Sequence, residues 1–425
     1  MFYLKVFGIV LVALACWGGF VGFSTLNGWW HIPLTTSSDP KSFIDAAKRI
    51  VAERNVGNLA LVLVEESVVY DEYFVGVSQA INRETVFPVA SMSKWITALG
   101  VMTLVEHDDL DLDVPISRYL TRWKLPSGDF SSEGVTVRRL LSHTSGLSDG
   151  LGFGDYTAEE AIPTLEDSLT NPRSSSGLPV QISITRRPGE AWDYSGGGYL
   201  ILELLVEEVT GETFESYMQA AILQPLGMSR STFAYIGETD NKTISYDAVG
   251  NPAPLFRYAA SGATGFSSSA ADLTRLVQAL LSDEAALSIP ARATTLEKMR
   301  EPNAKIFGID AWGLGTILYA PTASGDYIYG HDGQNEPAIN ATVRINPTTH
   351  DAIIVLVSGS PSLATYLGFE WVFWQTGVPD VLGIGYVTDQ GMKIFSYGSV
   401  IILMMIFFGA WRMRRRSASS RISHV

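Results

Sequence analysis

Eighteen residues from Val6 to Phe23 carry no charge. As a helix, a run of that length covers a bilayer core of roughly 30 Å. A second uncharged run, Ile394 to Trp411, ends directly in Arg412, Arg414, Arg415 and Arg416. Basic residues flanking a span stay on the cytoplasmic side. The tail is therefore expected inside and, with one span before it, the bulk of the chain outside. The expected divisions are an anchor or signal segment over 1–30, a folded domain over 39–378, a membrane helix over 394–411 and a basic cytoplasmic tail over 412–425.

Between the two runs the pattern changes repeatedly. Pro40 suits a first helical turn, and Phe43, Ile44, Ala47, Ile50 and Val51 follow at helical spacing. Leu59 to Val64 and Val68 to Val75 are β-type runs around Glu65-Glu66-Ser67, which predicts a hairpin. Ser91 to Glu106 predicts a helix that buries Trp95, Ile96, Leu99, Met102 and Leu104. From Asp111 to Ser261 the chain is rich in Gly, Pro and Ser, with short helical segments, of which Tyr199 to Thr210 is the clearest, closed by Gly211. Another amphipathic helix follows Ala271. β-type runs return at Tyr327 to Tyr329, Ala338 to Ile345 and Ala352 to Val357, and Phe369 to Trp374 predicts a last helix. This order predicts an α+β fold: an antiparallel sheet flanked by helices, with a mostly helical subdomain inserted in the middle.

Composition sharpens the picture in two places. The net charge is −14. The last fourteen residues hold five Arg and no acid, which leaves 25 basic against 44 acidic residues elsewhere, a net charge of −19. A body that acidic repels phosphate backbones and argues against nucleic acid as a partner. The one cysteine, Cys16, allows no intrachain disulfide and no cysteine-based metal site. Ala13-Leu14-Ala15 precede it as in a lipoprotein cleavage box, but Leu is missing three positions before the Cys, which favours a retained anchor. The six His are scattered, with no His-x-x-x-His pair, and no phosphate-binding Gly loop occurs. No metal and no cofactor is implied.

Three short segments carry candidate chemistry. In Phe87-Pro88-Val89-Ala90-Ser91-Met92-Ser93-Lys94, Ser91 opens a helix and Lys94 lies one turn on, so both face the same way. A serine hydroxyl needs a neighbour to take its proton, and a nearby amine can do so. Ser38-Asp39-Pro40-Lys41 fits the same pattern, but sits in the connector after the first span with no core to support it. In Trp192-Asp193-Tyr194-Ser195-Gly196-Gly197-Gly198, Tyr194 falls just before a helix, and a phenol near a lysine can act as a base. In Tyr329-Gly330-His331-Asp332-Gly333-Gln334, a strand with Gly can lie along a substrate. There the N–H of Gln334, with that of Ser91, would form an oxyanion hole, and His331 would add a polar group near the nucleophile.

In order and spacing the three segments resemble the serine β-lactamases and penicillin-binding proteins, from about Asp39 to Gly377. Ser91-Met92-Ser93-Lys94 resembles the family's Ser-x-x-Lys, and Tyr194-Ser195-Gly196 its Tyr-x-Asn. His331-Asp332-Gly333 is similar to its Lys-Thr-Gly, in the His-x-Gly form of related esterases and D-peptidases. Leu112-Asp113-Val114-Pro115, Leu140 to Leu147 and Gln224 to Met228 are similar to phrases of the class C β-lactamase branch. His143 belongs to one of these phrases and is expected to be structural. The resemblance implies that Ser91 attacks an acyl carbon, that Lys94 and Tyr194 move protons, that His331 assists, and that Gly333, Gln334 and Gly196 line the substrate. Gly196 stands where the family has Asn. That departure argues against efficient β-lactam or peptide cleavage and leaves esters and small amides as the expected substrates.

The expectation is thus a serine hydrolase in a bacterial inner membrane, its domain extracytoplasmic, acting on a small molecule or short peptide through an acyl-serine. Cleavage of D-amino-acid peptides or β-lactams is the alternative. A binding module that kept the fold and lost turnover belongs to another class, and is disfavoured because nucleophile, amine, phenol and third motif are all present. Gly146-Leu147-Ser148-Asp149-Gly150 fits a nucleophile elbow, but an elbow needs a strand before it and a helix after it, and here Val137 to Leu141 reads as a helix and Leu151 to Gly154 as a loop.

Overall fold

Leu59, Leu61 and Leu63 alternate with Ala60, Val62 and Val64, so this strand is apolar on both faces, and both are buried. It is β1 (Asn58–Glu65) of an eight-stranded sheet in a computed structural model. The structure describes residues 2–422 apart from 127, 148, 150–153, 175–179, 238 and 283–292. The other strands are β2 (Val68–Val75), β3 (Ala304–Ile306), β4 (Ile309–Trp312), β5 (Ile317–Pro321), β6 (Tyr327–Asn335), β7 (Ile339–Asn346) and β8 (Asp351–Ser358). Their spatial order is β2-β1-β8-β7-β6-β5-β4-β3, every neighbouring pair antiparallel. The first hairpin closes through Glu66 and Ser67, both at positive φ, the backbone that a two-residue turn of this hand requires.

Helices α1 (Phe2–Leu26) and α2 (Pro40–Arg54) precede the sheet. Between β2 and β3 lie α3 (Ser93–Glu106), α4 (Val137–Leu141), α5 (Gly196–Thr210) and α6 (Ala270–Leu281); α7 (Leu363–Thr376) and α8 (Ile384–Ile422) follow β8. One sheet face, with Ala60, Val62, Val343 and Ile354, shares a core with Trp95, Ile96 and Leu99 of α3 and Leu273 and Val277 of α6. On the other face α7 packs on β7 and β8, and α2 packs on α7. The expected order therefore holds: helix, two strands, a largely helical insertion, strands, helix. Three details differ. The helix of the first motif begins at Ser93, after a 3-10 turn over Ala90–Met92. The helix expected from Tyr199 begins at Gly196. β3, β4 and β5 are three to five residues each, too short for a two-residue period to show, and were not expected.

By packing the chain divides into Leu34–Thr376 and a second unit, Met1–Pro33 with Gly377–Val425. In the second unit, among the described residues, two helices are long and apolar enough to cross a membrane, Tyr3–Leu26 and Ile384–Arg415. They touch where the Trp17 indole donates to the Phe395 carbonyl at 3.1 Å and lies over Gly398, which leaves it room.

A buried ion pair locks the centre of the sheet on its α7 side. Asp332 of β6 accepts from Arg344 of β7 at 3.0 Å, from the Tyr319 hydroxyl at 2.6 Å and from the Thr342 hydroxyl at 2.5 Å. Gly368 of α7 makes room for the Arg344 guanidinium, which also stacks on Tyr319. Burial pushes the Asp332 carboxyl up, but Arg344 and the two hydroxyls outweigh it and hold it below the usual carboxylate range. Arg344→Met would leave that carboxylate buried and uncompensated. Urea denaturation in detergent should then show a loss of about 3–5 kcal/mol, and a smaller loss for the double variant Asp332→Asn/Arg344→Met.

Candidate active site

The strand Val86–Pro88 pairs with Ser267–Ser269 and leads into the turn that carries Ser91. Ala90 sits at φ +50, a costly conformation for a residue with a Cβ, and the turn is pinned on both sides. The Ser93 hydroxyl donates to the Ala90 carbonyl at 2.6 Å and accepts from the Phe266 N–H at 2.9 Å. Lys94 follows one turn later, fully buried. Its Nζ lies 3.4 Å from Ser91 Oγ and donates to the Ala263 carbonyl at 2.9 Å. The same ammonium lies over the rings of Tyr194, at 4.9 Å, and Tyr199, at 5.7 Å.

Tyr194 is held from behind by His143 and Asp149. The Asp193 N–H donates to the His143 carbonyl at 2.8 Å, and the Ser195 N–H donates to His143 Nδ1 at 3.1 Å. The imidazole lies against the Tyr194 ring, centroids 4.3 Å apart. Because Nδ1 accepts, the ring proton of neutral His143 is on Nε2. Burial and nearby Lys94 hold this histidine well below its ordinary pKa, hence neutral. The Ser195 hydroxyl caps α5, accepting from the Gly198 N–H and donating to Asp149 Oδ1 at 2.5 Å. Asp149 Oδ2 takes the Gly197 N–H at 2.6 Å. Burial pushes the Asp149 carboxyl up to about 6. Gly196 is buried as the first residue of the helix, and a Cβ on Gly197 would press on Asp149 and Ile182. Gly197 thus serves close packing.

The third segment is the free part of β6. β5 pairs with β6 only from Tyr327 to Gly330, so from His331 to Asn335 the strand has β7 on one side and no strand on the other. There it meets the turn that carries Ser91. A Cβ on Gly333 would overlap the Val89 carbonyl oxygen and crowd the Met92 N–H. Asp332 turns to the α7 side, as strand alternation demands, while buried His331 lies edge-on to Trp312. His331 Nδ1 meets the Asp332 carbonyl at 2.5 Å, so Nδ1 carries the proton and Nε2 is an acceptor. Gln334 is exposed and pairs with Asn340.

Ser91, Lys94 and Tyr194 are thus gathered in one place, and Gly333 brings β6 against the turn that carries Ser91. Sequence reasoning set His143 aside as structural, and its packing on Tyr194 makes that support part of the site. Asp149, Ala263 and Trp312 escaped notice. Asp149 lay inside the discounted elbow phrase, whose Ser148, like residues 151–153 of the expected loop, is outside the described residues; α4 stands before it as a helix, as read.

Burial, with some help from Lys94, lowers His331 from 6.5 to about 4, against the pull of the Asp332 carbonyl. A basic group depressed on folding contributes stability that is present above its unfolded pKa and lost as pH falls toward the folded one. On going from pH 7 to pH 5, the protein should lose about 2 kcal/mol more than His331→Gln does, read by denaturant titration at each pH.

The Beta-lactamase family model matches residues 43–367. Esterase EstB of Burkholderia gladioli is 26% identical over 327 residues, covering 63% of this chain and 78% of that protein. Penicillin-binding protein 4* of Bacillus subtilis (strain 168) is 29% identical over 170 residues, 40% of this chain, and the match spans only 35% of that relative's length. The solved structure of the octameric penicillin-binding protein homologue from Pyrococcus abyssi has a TM-score of 0.63 at 24% identity, covering 80% of this chain and 78% of that one, a likeness of fold. The family match runs over well more than half of the chain, and the chain belongs to the Beta-lactamase family, whose members are mostly serine hydrolases.

Proposed function

We propose that the protein hydrolyses esters or small amides through an acyl-serine, with Ser91 as nucleophile. The observation that carries this reading is the placement of Lys94. Lys94 Nζ donates one N–H to the Ala263 carbonyl and lies 3.4 Å from Ser91 Oγ, where the lone pair of the free amine can meet the serine proton. As Oγ attacks the carbonyl carbon, its proton passes to the Lys94–Tyr194 pair. The oxyanion forms between the N–H groups of Ser91 and Gln334. When the tetrahedral intermediate collapses, the same pair returns the proton to the departing alkoxide or amine. Water then attacks the acyl-enzyme and gives up a proton to the pair, which passes it to Ser91 Oγ as the acid departs. His331, neutral with an acceptor Nε2, lines the substrate.

Two points favour esters over peptides and β-lactams. Gly196 supplies no side-chain amide where the family has Asn to orient an amide substrate, and the esterase relative is matched over most of its length. Cleavage of D-amino-acid peptides or β-lactams is the second reading, favoured by the similarity to penicillin-binding protein 4*. We place the protein in a membrane through Tyr3–Leu26 and Ile384–Arg415, with the Arg-rich tail cytoplasmic and the domain between them outside.

Intact-mass spectrometry of the full chain in detergent tests the chemistry. A fluorophosphonate should add once to the protein and not to Ser91→Ala. p-Nitrophenyl esters should turn over, with Ser91→Ala slower by about 10³-fold or more. A long-lived penicillin adduct without ester turnover would shift the assignment to the second reading. No adduct with any of these reagents would overturn it in favour of a non-catalytic binding module.

A further inference from the structure

Glu203 lies nearly ten residues beyond Tyr194 on α5, almost wholly inside the protein, and touches no reacting atom. It is an acid in an apolar setting, with Phe214 close by. Burial pushes its carboxyl up to about 8, so at neutral pH it is mostly protonated. A buried carboxyl costs stability and needs a reason to be there. Its Oε2 accepts the Gly262 N–H at 2.8 Å. The carbonyl of the same residue accepts from the Thr97 hydroxyl of α3, also at 2.8 Å. Gly262 is therefore gripped at both of its backbone polar groups. A Cβ on it would meet Phe214, Thr97 and Glu203 at 3.2 to 3.4 Å, so any larger residue would push on the two side chains that make the grip. The next residue is Ala263, whose carbonyl holds Lys94.

We propose that Glu203 and Thr97 are positioning residues for the Ser91 reaction, clamping Gly262 so that the Ala263 carbonyl aims the Lys94 amine at the nucleophile. This rests on the reading of Ser91 and Lys94 given under the proposed function. A primary amine rotates freely about its last bond, and its lone pair is useful only when it points at Oγ. A carbonyl that accepts one N–H, from the ammonium or from the free amine, removes that freedom. It does so only if the carbonyl itself stays put. The segment Ser261–Gly265 is a single irregular turn. It is tied down by the Glu203 and Thr97 bonds and, at its far end, by Ser93 through Phe266. One helix, α5, thus serves both members of the proton-transfer pair. It carries Tyr194 ahead of its first turn, places Tyr199 under the ammonium, and reaches through Glu203 to the peptide that fixes the amine.

The test compares Glu203→Leu, Glu203→Gln and Thr97→Val with the unaltered full chain in detergent, using the rate of fluorophosphonate addition and steady-state turnover of a p-nitrophenyl ester. Glu203→Leu should slow addition and lower kcat by about 100-fold, with KM changed less than about threefold, because aim is lost and substrate contacts are not. Glu203→Gln keeps an acceptor for the Gly262 N–H and should stay within about threefold of the unaltered protein in both readouts. Thr97→Val, which cuts the other half of the clamp, should lower kcat by about tenfold at unchanged KM. A folded Glu203→Leu that reacts at the normal rate, or a Gln variant as damaged as the Leu one, overturns the proposal. If Glu203→Leu fails to fold, Thr97→Val decides, and a normal kcat there overturns it. If Ser91→Ala still forms the adduct, the reading of the nucleophile falls first, and the clamp with it.

Discussion

Everything at the site hangs on how closely β6 approaches the turn that carries Ser91. Gly333 faces the Val89 carbonyl with no room for a side chain. That contact sets the width of the cleft, because it fixes the distance between the turn of Ser91 and the stretch of strand beyond Gly330. Two structures keep it from loosening. On one side Ala90 is forced into a left-handed backbone by Ser93 and its bond to Phe266. On the other, the Asp332–Arg344 pair anchors β6 to β7 and to α7. The strained turn and the buried ions both cost stability. Neither would be retained in a sheet that had only to fold.

The electrostatic design is one of exclusion. Buried Lys94 stands next to two buried histidines, His143 and His331, both depressed below their ordinary pKa values. Lys94 and Tyr194 thus stand among imidazoles that carry no charge at neutral pH. The imidazoles act as shaped, neutral surfaces with defined tautomers: Nε2 of His143 is a donor and Nε2 of His331 an acceptor.

What could be read from the sequence divides along a physical line. The two long apolar helices, the hairpin, the helix of the first motif and the long apolar strands were legible because each is set by side chains a few residues apart. Ser91 with Lys94, Tyr194 before its helix, and His331 with Gly333 were legible for the same reason. The supporting groups were not. Asp149 meets Ser195 across 46 positions, Glu203 meets Gly262 across 59, and Lys94 meets the Ala263 carbonyl across 169. Nothing local in Asp149 or Glu203 distinguishes them from surface acids, and a backbone carbonyl leaves no mark in a sequence at all. β3 to β5 were hidden by brevity: turns at Phe307-Gly308 and Gly313 to Gly315 break them before a period can repeat.

The pairing of β1 with β8 has a consequence for the order of events in the cell. Asn58 and Ser358 are register partners 300 residues apart. β1 is apolar on both faces, and one of its two neighbours is the last strand to be made. A chain growing from its N-terminus cannot complete the sheet until nearly all of the domain has emerged, and pairing over so long a separation is slow. Until then the first hairpin lacks its partner, and β6 has no β8-backed platform from which to press on the turn that carries Ser91. A polypeptide cut short anywhere before β8 would carry the serine and the lysine without the strand arrangement that makes them a pair. Assembly of the cleft is thereby tied to completion of the chain.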